Sequence, residues 1–315
     1  MGAVAGALVR RAVQAAFVAL VVGALCFALV RSLPGDMAYR IAAGRYGYDL
    51  VGTGAAEAVR AELGLDRPAL VQFAAWLGAL ARGDLGTSLV SGDPVWEEVV
   101  HQLGPTVSLA SAALLVALVL GPGFGLLAGL RPGGVADRAG LACAAGLRAL
   151  PGYTVGVGLM LVFAAGLGWL PAAGSDTAAH LVLPALTLGL GLSAATARVA
   201  RDATVAALAA PHFAFARVKG LSRARAVLRH VPRNAAVPVL AYLGVQLVLL
   251  VEGVVVVEVL FGWPGIGHAL VHAVLARDVP MVQGTALVMG ALFVALNAAT
   301  DLAVLAADPR RRDPA

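Results

Sequence analysis

Apolar residues dominate six stretches of the chain, at about 12–30, 105–130, 141–168, 181–200, 235–257 and 282–305. Each is at or near the ~20 residues a helix needs to cross the hydrocarbon layer of a bilayer. The first, AVQAAFVALVVGALCFALV, follows Arg10 and Arg11 and contains no charge. It is long for the core of a signal peptide and lacks a clear small-x-small cleavage site before Arg31, so it reads as a retained span. Between the first two stretches lies the most polar part of the chain, 31–103, with nine acids and six arginines. Helix-like pieces around EAVRAEL and ALVQFAAWLGAL are separated there by Asp66, Arg67 and Pro68. The pattern predicts an all-α integral membrane protein of about six transmembrane helices, a single domain over 1–315, with 31–103 as an external lobe. Six spans return both termini to one side.

Charge orients this arrangement, because basic residues in short loops stay in the cytoplasm whereas long translocated loops are largely exempt. Residues 198–234 carry Arg198, Arg201, Arg217, Lys219, Arg223, Arg225, Arg229 and Arg233 against the single acid Asp202, and the tail adds Arg310, Arg311 and Arg312. The connections at 169–180 and 258–281 hold one basic residue between them, Arg277. The 198–234 loop and both termini are therefore expected in the cytoplasm. Composition agrees: 60% hydrophobic residues, 13% charged and a mean hydropathy of +0.87 leave too little polar surface for a soluble globule of this size. The net charge of +5 follows from the positive-inside rule and calls for no nucleic acid. The 38 glycines suit membrane helices whose backbones approach closely. Cys26 and Cys143 sit in apolar runs, away from any metal-ligand spacing, and indicate neither a disulfide framework nor a zinc site.

The stretch richest in chemistry is HFAFARVKGLSRARAVLRHVPRNAAVPVL, residues 212–240. A helical run to Lys219, then Gly220 able to take the left-handed conformation that ends a helix, then Ser222 as an N-cap, reads as helix, tight turn, helix. Phe213 and Phe215 are apolar residues in a basic segment. They fit a partner surface, and equally an amphipathic helix lying on anionic headgroups.

The run ARVKGLSRARAVLRHVPRN (216–234) resembles the cytoplasmic loop of bacterial ABC-importer permeases, in the branch that carries dipeptides, oligopeptides, nickel and related solutes. AELGLDRP (61–68), GDLGTSL (83–89), EVLFGWPGIG (258–267), RDVPMVQG (277–284) and ADPR (307–310) match the same branch in order, so the resemblance covers nearly the whole chain. It implies the type I ABC importer permease fold in a bacterial cytoplasmic (inner) membrane. It further implies a second homologous permease, two ATPase subunits or domains and an external solute-binding protein as partners, besides membrane lipids. Phe213, Phe215, Ala216, Arg217, Lys219, Gly220, Leu221 and Ser222 would form the coupling loop that docks on an ATPase. Peptide is the expected cargo, with nickel or another small solute as the alternative. Ala214 stands where many importer permeases carry an acid, and Pro232 is expected to interrupt the second helix of the elbow.

The only lysine, Lys219, precedes Gly220 instead of following a glycine-rich loop, so the chain has no phosphate-cradling G-x-x-x-x-G-K-[ST] run. No catalytic residue, metal ligand or cofactor is assigned to this chain; ATP and magnesium are expected on the partner ATPases. Among ionisable residues in or near spans, Arg148, Glu252, Glu258 and Asp301, the pathway candidates are Glu252 and Glu258. Glu258 and Asp301 are expected near interfacial water; Glu252 either faces the cavity or pairs with Arg148. His268 and His272, four apart, have metal-ligand spacing but no third ligand in the turn, and read as solvent-facing. Trp263, Pro264 and Gly265 read as an interfacial aromatic and a turn. An intramembrane serine-histidine enzyme fails on distance, since 13 residues of helix put Ser193 about 20 Å from His180. An ion-gradient carrier is the nearer rival, but needs buried mid-membrane acids or broken helices, and only Glu252 qualifies.

Overall fold

The computed structural model describes residues 2–47, 49 and 51–307. The Asp301 side chain, Arg310 to Arg312 and most of the ADPR run lie outside the described residues. In chain order the helices are α1 (Gly2–Ser32), α2 (Met37–Tyr46), α3 (Thr53–Leu63), α4 (Ala69–Leu80), α5 (Val95–Leu130), α6 (Val135–Ala149), α7 (Gly152–Leu159), α8 (Val182–Ala209), α9 (Pro211–Val218), α10 (Arg223–Phe261), α11 (Ile266–Ala276) and α12 (Val279–Ala307). A π-helical stretch, Met160–Gly166, prolongs α7, and a 3-10 turn, Ala178–Leu181, leads into α8. Among the described residues there is no strand, only an isolated bridge between Thr87 and Pro94.

Three helices are long and apolar enough to cross a membrane singly: Val95–Leu130, Ala178–Ala209 and Val279–Leu296. Three bent pairs pass the same test together: Ala16–Ser32 with Met37–Tyr46 (93°), Val135–Ala149 with Gly152–Gly166 (105°), and Arg223–Leu247 with Leu250–Phe261 (55°). Counting each pair as one gives six, and each overlaps one of the six expected stretches, although 12–15, 167–168 and 297–305 lie beyond those spans. The helices overrun the expected bounds. α5 begins at Val95, ten residues early, because Glu97 and Glu98 favour its first turn. α10 runs without a break through Pro232 and Pro238, so Pro232 does not interrupt the elbow's second helix as expected. Long helices absorb a proline where neighbours take up the freed backbone groups.

The chain divides into two compact units. The first comprises Met1–Gly104 with Gly265–Leu292. Its main core gathers Val30, Val95, Val99, Ile266, Ala273, Val279, Met281 and Val282. A smaller cluster of Ile41, Ala42 and Val59 seats α2 against α3. Polar clasps fix it: the Ser88 hydroxyl donates to Asp278 Oδ2 at 2.5 Å in a buried position, while Asp278 Oδ1 accepts the N–H of Met281 and so caps α12. Arg277, in the left-handed region at φ +59°, donates to the carbonyls of Gly35 and Pro34. Gln283 reaches the Gly23 carbonyl at 2.9 Å. GDLGTSL and RDVPMVQG are thus the two halves of one clasp.

The second unit comprises Pro105–Pro264 with Phe293–Ala315. Here α5 lies against α8 through a ladder of small residues. Gly121, Gly125 and Gly129, each four apart, face Thr196, Ala200 and Thr204, also four apart. A Cβ on Gly125 would lie 2.4 Å from the Ala197 carbonyl oxygen, and one on Gly189 would lie 2.6 Å from Val116. Only glycine permits that approach. The buried hydroxyls of Thr187, Ser193, Thr196 and Thr204 bond back to carbonyls one turn earlier, so they are satisfied within α8. Ser193 is therefore a packing residue, and the His180 ring is held by Thr177, three residues before it. Arg201 clamps Asp137 with two hydrogen bonds, 3.0 and 2.8 Å, and ties α6 to α8.

Candidate functional site: a helical elbow and a buried carboxylate

The elbow is built by local chemistry. Ala210 leaves the helical region (φ −73°, ψ 145°) and ends α8, and Pro211 opens α9 at the position where a missing N–H costs nothing. After eight residues the chain turns at Gly220, φ +86°, where an L side chain is strained. The Gly220 N–H reaches Arg217 O and the Leu221 N–H reaches Ala216 O, closing the helix end. Ser222 then caps α10, its hydroxyl accepting from the Arg225 N–H. Arg217 spans the turn by donating to Leu221 O at 2.8 Å. The expected helix, turn and helix, with Gly220 and Ser222 in the expected roles, are all present.

The two phenylalanines part company. Phe213 turns inward on Ala207, Val227 and Val231, with Leu126, Leu130 and Leu208 around it. Ala216, one turn on, is buried on the same side. Both residues serve the inner packing of the elbow, Ala216 buried and Phe213 half-buried. Phe215, 59% exposed, and Val218, 83% exposed, point outward, and the Lys219 ammonium sits 4.6 Å from the centre of the Phe215 ring. Arg217 on α9 and Leu228 on α10 are also exposed, and Leu221 is half-buried. Val218 and Leu228 were missed in the sequence; counting three or four residues from Phe215 finds Val218.

The outward face has a firm base. The inner cluster joins α5, α8, α9 and α10, and Arg223 adds a hydrogen bond to Leu130 O. Asn234 donates to His230 O at 2.7 Å and contacts His212 Nε2. The short helix is thereby bound to three long ones.

At the other end of α10, Glu258 is fully buried, and its Oε1 accepts the Thr106 hydroxyl at 2.6 Å. That corrects its expected place near interfacial water. Gly262, at φ +60°, ends α10, and Trp263 folds back with its N–H on Glu258 O. The Trp263 indole is buried and donates to Pro105 O at 2.9 Å, so this tryptophan is a clasp and not the interfacial aromatic expected. Glu252 is exposed, and no ion pair joins it to Arg148 among the described residues. Arg148 instead borders a cavity of about 320 Å³. The His268 and His272 rings lie 4.5 Å apart, tilted by 58°; His268 is half-buried, contrary to expectation, and no group of three metal-ligating residues occurs among the described residues.

Apolar helices of spanning length, a glycine-laddered bundle and a rigid basic elbow are the features of a multi-span membrane subunit. Residues 121–313 match the family described as the inner membrane component of binding-protein-dependent transport systems, and residues 5–110 match its N-terminal counterpart. The chain is 39% identical over 293 residues to the glutathione transport system permease protein GsiC of Pectobacterium atrosepticum, covering 93% of this chain and 94% of that one. It is 36% identical to the proteins of the same description from Salmonella choleraesuis and Escherichia coli, with the same coverage. The chain belongs to the binding-protein-dependent transport system inner membrane component family. It is an ABC importer permease, a transport subunit and not an enzyme, with ATPase and solute-binding partners.

Proposed function

We propose that this permease imports small peptides, with glutathione a leading candidate, in a complex with a second homologous permease, two ATPases and an external solute-binding protein. The relatives named for glutathione transport support the cargo class. The elbow and both termini lie in the cytoplasm, in keeping with the eight basic residues of 198–234. The chain itself binds no cofactor, and ATP and magnesium are handled by the ATPases.

The observation that carries the mechanism is the partition of the elbow into an outward Phe215–Val218–Lys219 face and an inward Phe213–Ala216 face locked to α5, α8 and α10. Closure of two ATPases on ATP carries the docked elbows along. Because α9 packs directly on long helices, the movement reaches the spans as rigid-body rocking, and a central path opens alternately to each side. The elbow transmits force and makes or breaks no bond.

The test is uptake of labelled glutathione and dipeptides into proteoliposomes holding the whole complex, wild type against Gly220→Val. A β-branched residue at φ +86° costs about 1–3 kcal/mol and distorts the turn. ATP-dependent uptake that is lost in the variant, with the complex still assembled, is expected. Uptake driven by a proton gradient without ATPases would overturn the reading in favour of an ion-coupled carrier.

A further inference from the structure

The second bent pair breaks beside an arginine. α6 ends at Ala149, Leu150 and Pro151 follow, and α7 starts at Gly152 with a 105° change of direction. The break places two positive elements together. Arg148 lies in the last turn of α6 and is exposed, with no acid paired to it among the described residues. The first turn of α7 presents backbone N–H groups that have no partner within the helix, at the positive end of its dipole. Arg148, Gly152 and Tyr153 all line the cavity of about 320 Å³, which is closed behind by α8 and α10.

An independent observation marks this cavity as a place for a ligand. Gln246 on α10 lines it, is only 6% exposed, and makes no hydrogen bond among the described residues. The amide therefore has donor and acceptor capacity that no described residue uses, and a polar group in the cavity would take it up. Thr187 also lines the cavity, but its hydroxyl is committed to Leu183 O, so the open donors are those of Arg148, Tyr153, Gln246 and the α7 start. The remaining wall is apolar, with Leu188, Leu250 and Val257 on it, and no acid lines it.

We infer that this cavity is an anion site that takes a carboxylate of the cargo, with Arg148 supplying the charge and Gln246, Tyr153 and the start of α7 supplying neutral donors. The inference rests on the peptide reading above and deepens it. A planar carboxylate matches the guanidinium fork. A side chain next to that carboxylate would lie on the leucine and valine wall. Glu252, exposed on α10 and absent from the lining, leaves the carboxylate site purely electropositive.

The experiment compares binding of trialanine and trialanine amide to the permease–ATPase complex in nanodiscs, without the solute-binding protein, for wild type, Arg148→Met, Arg148→Lys and Gln246→Leu. The acid-to-amide ratio is independent of how much protein folds. Wild type is expected to favour the acid by about tenfold or more. Arg148→Met should bring the ratio close to one, Arg148→Lys should keep most of it, and Gln246→Leu should lower it in part. A wild type with no preference, or an Arg148→Met variant that keeps it, overturns the site. So does a preference that vanishes only on replacing anionic lipid, which would make the occupant a lipid phosphate. ATP-driven uptake by the full system is measured alongside. Its absence for every peptide tested overturns the peptide reading, whereas uptake with an unchanged ratio in Arg148→Met overturns the carboxylate site alone.

Discussion

The Thr106 hydroxyl meets Glu258 Oε1 at 2.6 Å where Glu258 has no exposed surface, so α5 and α10 are joined by a polar contact inside an apolar core. Glu258→Ala removes that acceptor and leaves a void between the helices. A loss of about 1–3 kcal/mol is expected. Glu258→Gln keeps an acceptor oxygen of nearly the same shape and should cost less. Thermal unfolding of the purified permease in detergent checks the order, and equal losses would mean that the contact contributes little.

The glycine ladder makes a prediction with its own control. Gly125→Ala puts a methyl 2.4 Å from the Ala197 carbonyl oxygen, and α5 and α8 must separate. A cost of about 1–3 kcal/mol is expected from such overpacking. Gly123→Ala, two residues earlier on the same helix, meets no atom within 4 Å and should leave stability unchanged or raise it. Detergent stability of the pair measures the difference; similar behaviour would remove the ladder as a packing determinant.

On the elbow, Phe215→Ser and Phe213→Ser should separate docking from folding. Phe215 is outward, so its loss should weaken co-purification of the ATPases about tenfold while the permease unfolds at its usual temperature. Phe213 is part of the inner cluster, so its loss should lower the unfolding temperature first. The reverse pattern would assign the docking face to the wrong side of α9.

How far these features could be read from the chain depends on the range of the physics behind them. The turn at Gly220 and the cap at Ser222 were legible, since a positive φ and a short hydroxyl act within four residues. The six apolar stretches were legible for the same reason. Phe213 and Phe215 were not separable by composition: two residues along a helix turn the side chain through about 200°, and only the position of Val227 and Val231 decides which one is inward. Glu258 was misplaced because the end of a span is ordinarily wet, whereas here Gly262 turns the chain and Trp263 closes over it. Arg148 and Gln246, 98 positions apart, share a cavity only because the helix breaks at Pro151.

A pH effect is expected in the first unit. Burial pushes the His268 imidazole below its ordinary value, and the charge of His272 beside it adds to the shift. The folded state therefore holds the proton less tightly than the unfolded chain, so its contribution is present above the unfolded value of about 6.5 and is lost as pH falls through the lower folded value. Amide exchange in α11 should quicken as pH drops from about 7 to about 5, after correction for intrinsic rates, and much less so in His268→Gln. Identical pH profiles for the two proteins would exclude His268 as the cause.

The straight part of α10, from Arg223 to Leu247, has the elbow at one end and Gln246 at the other, and its 55° bend comes only after that residue. Arg223 and Gln246 are separated by about 35 Å of unbroken helix. A displacement of the elbow thus arrives at the wall of the proposed cargo cavity with no loop in between to absorb it. In the proposed mechanism the grip on the ATPase and the grip on the cargo are set by a single piece of sequence, and a one-residue insertion within that segment would turn one relative to the other by about 100°.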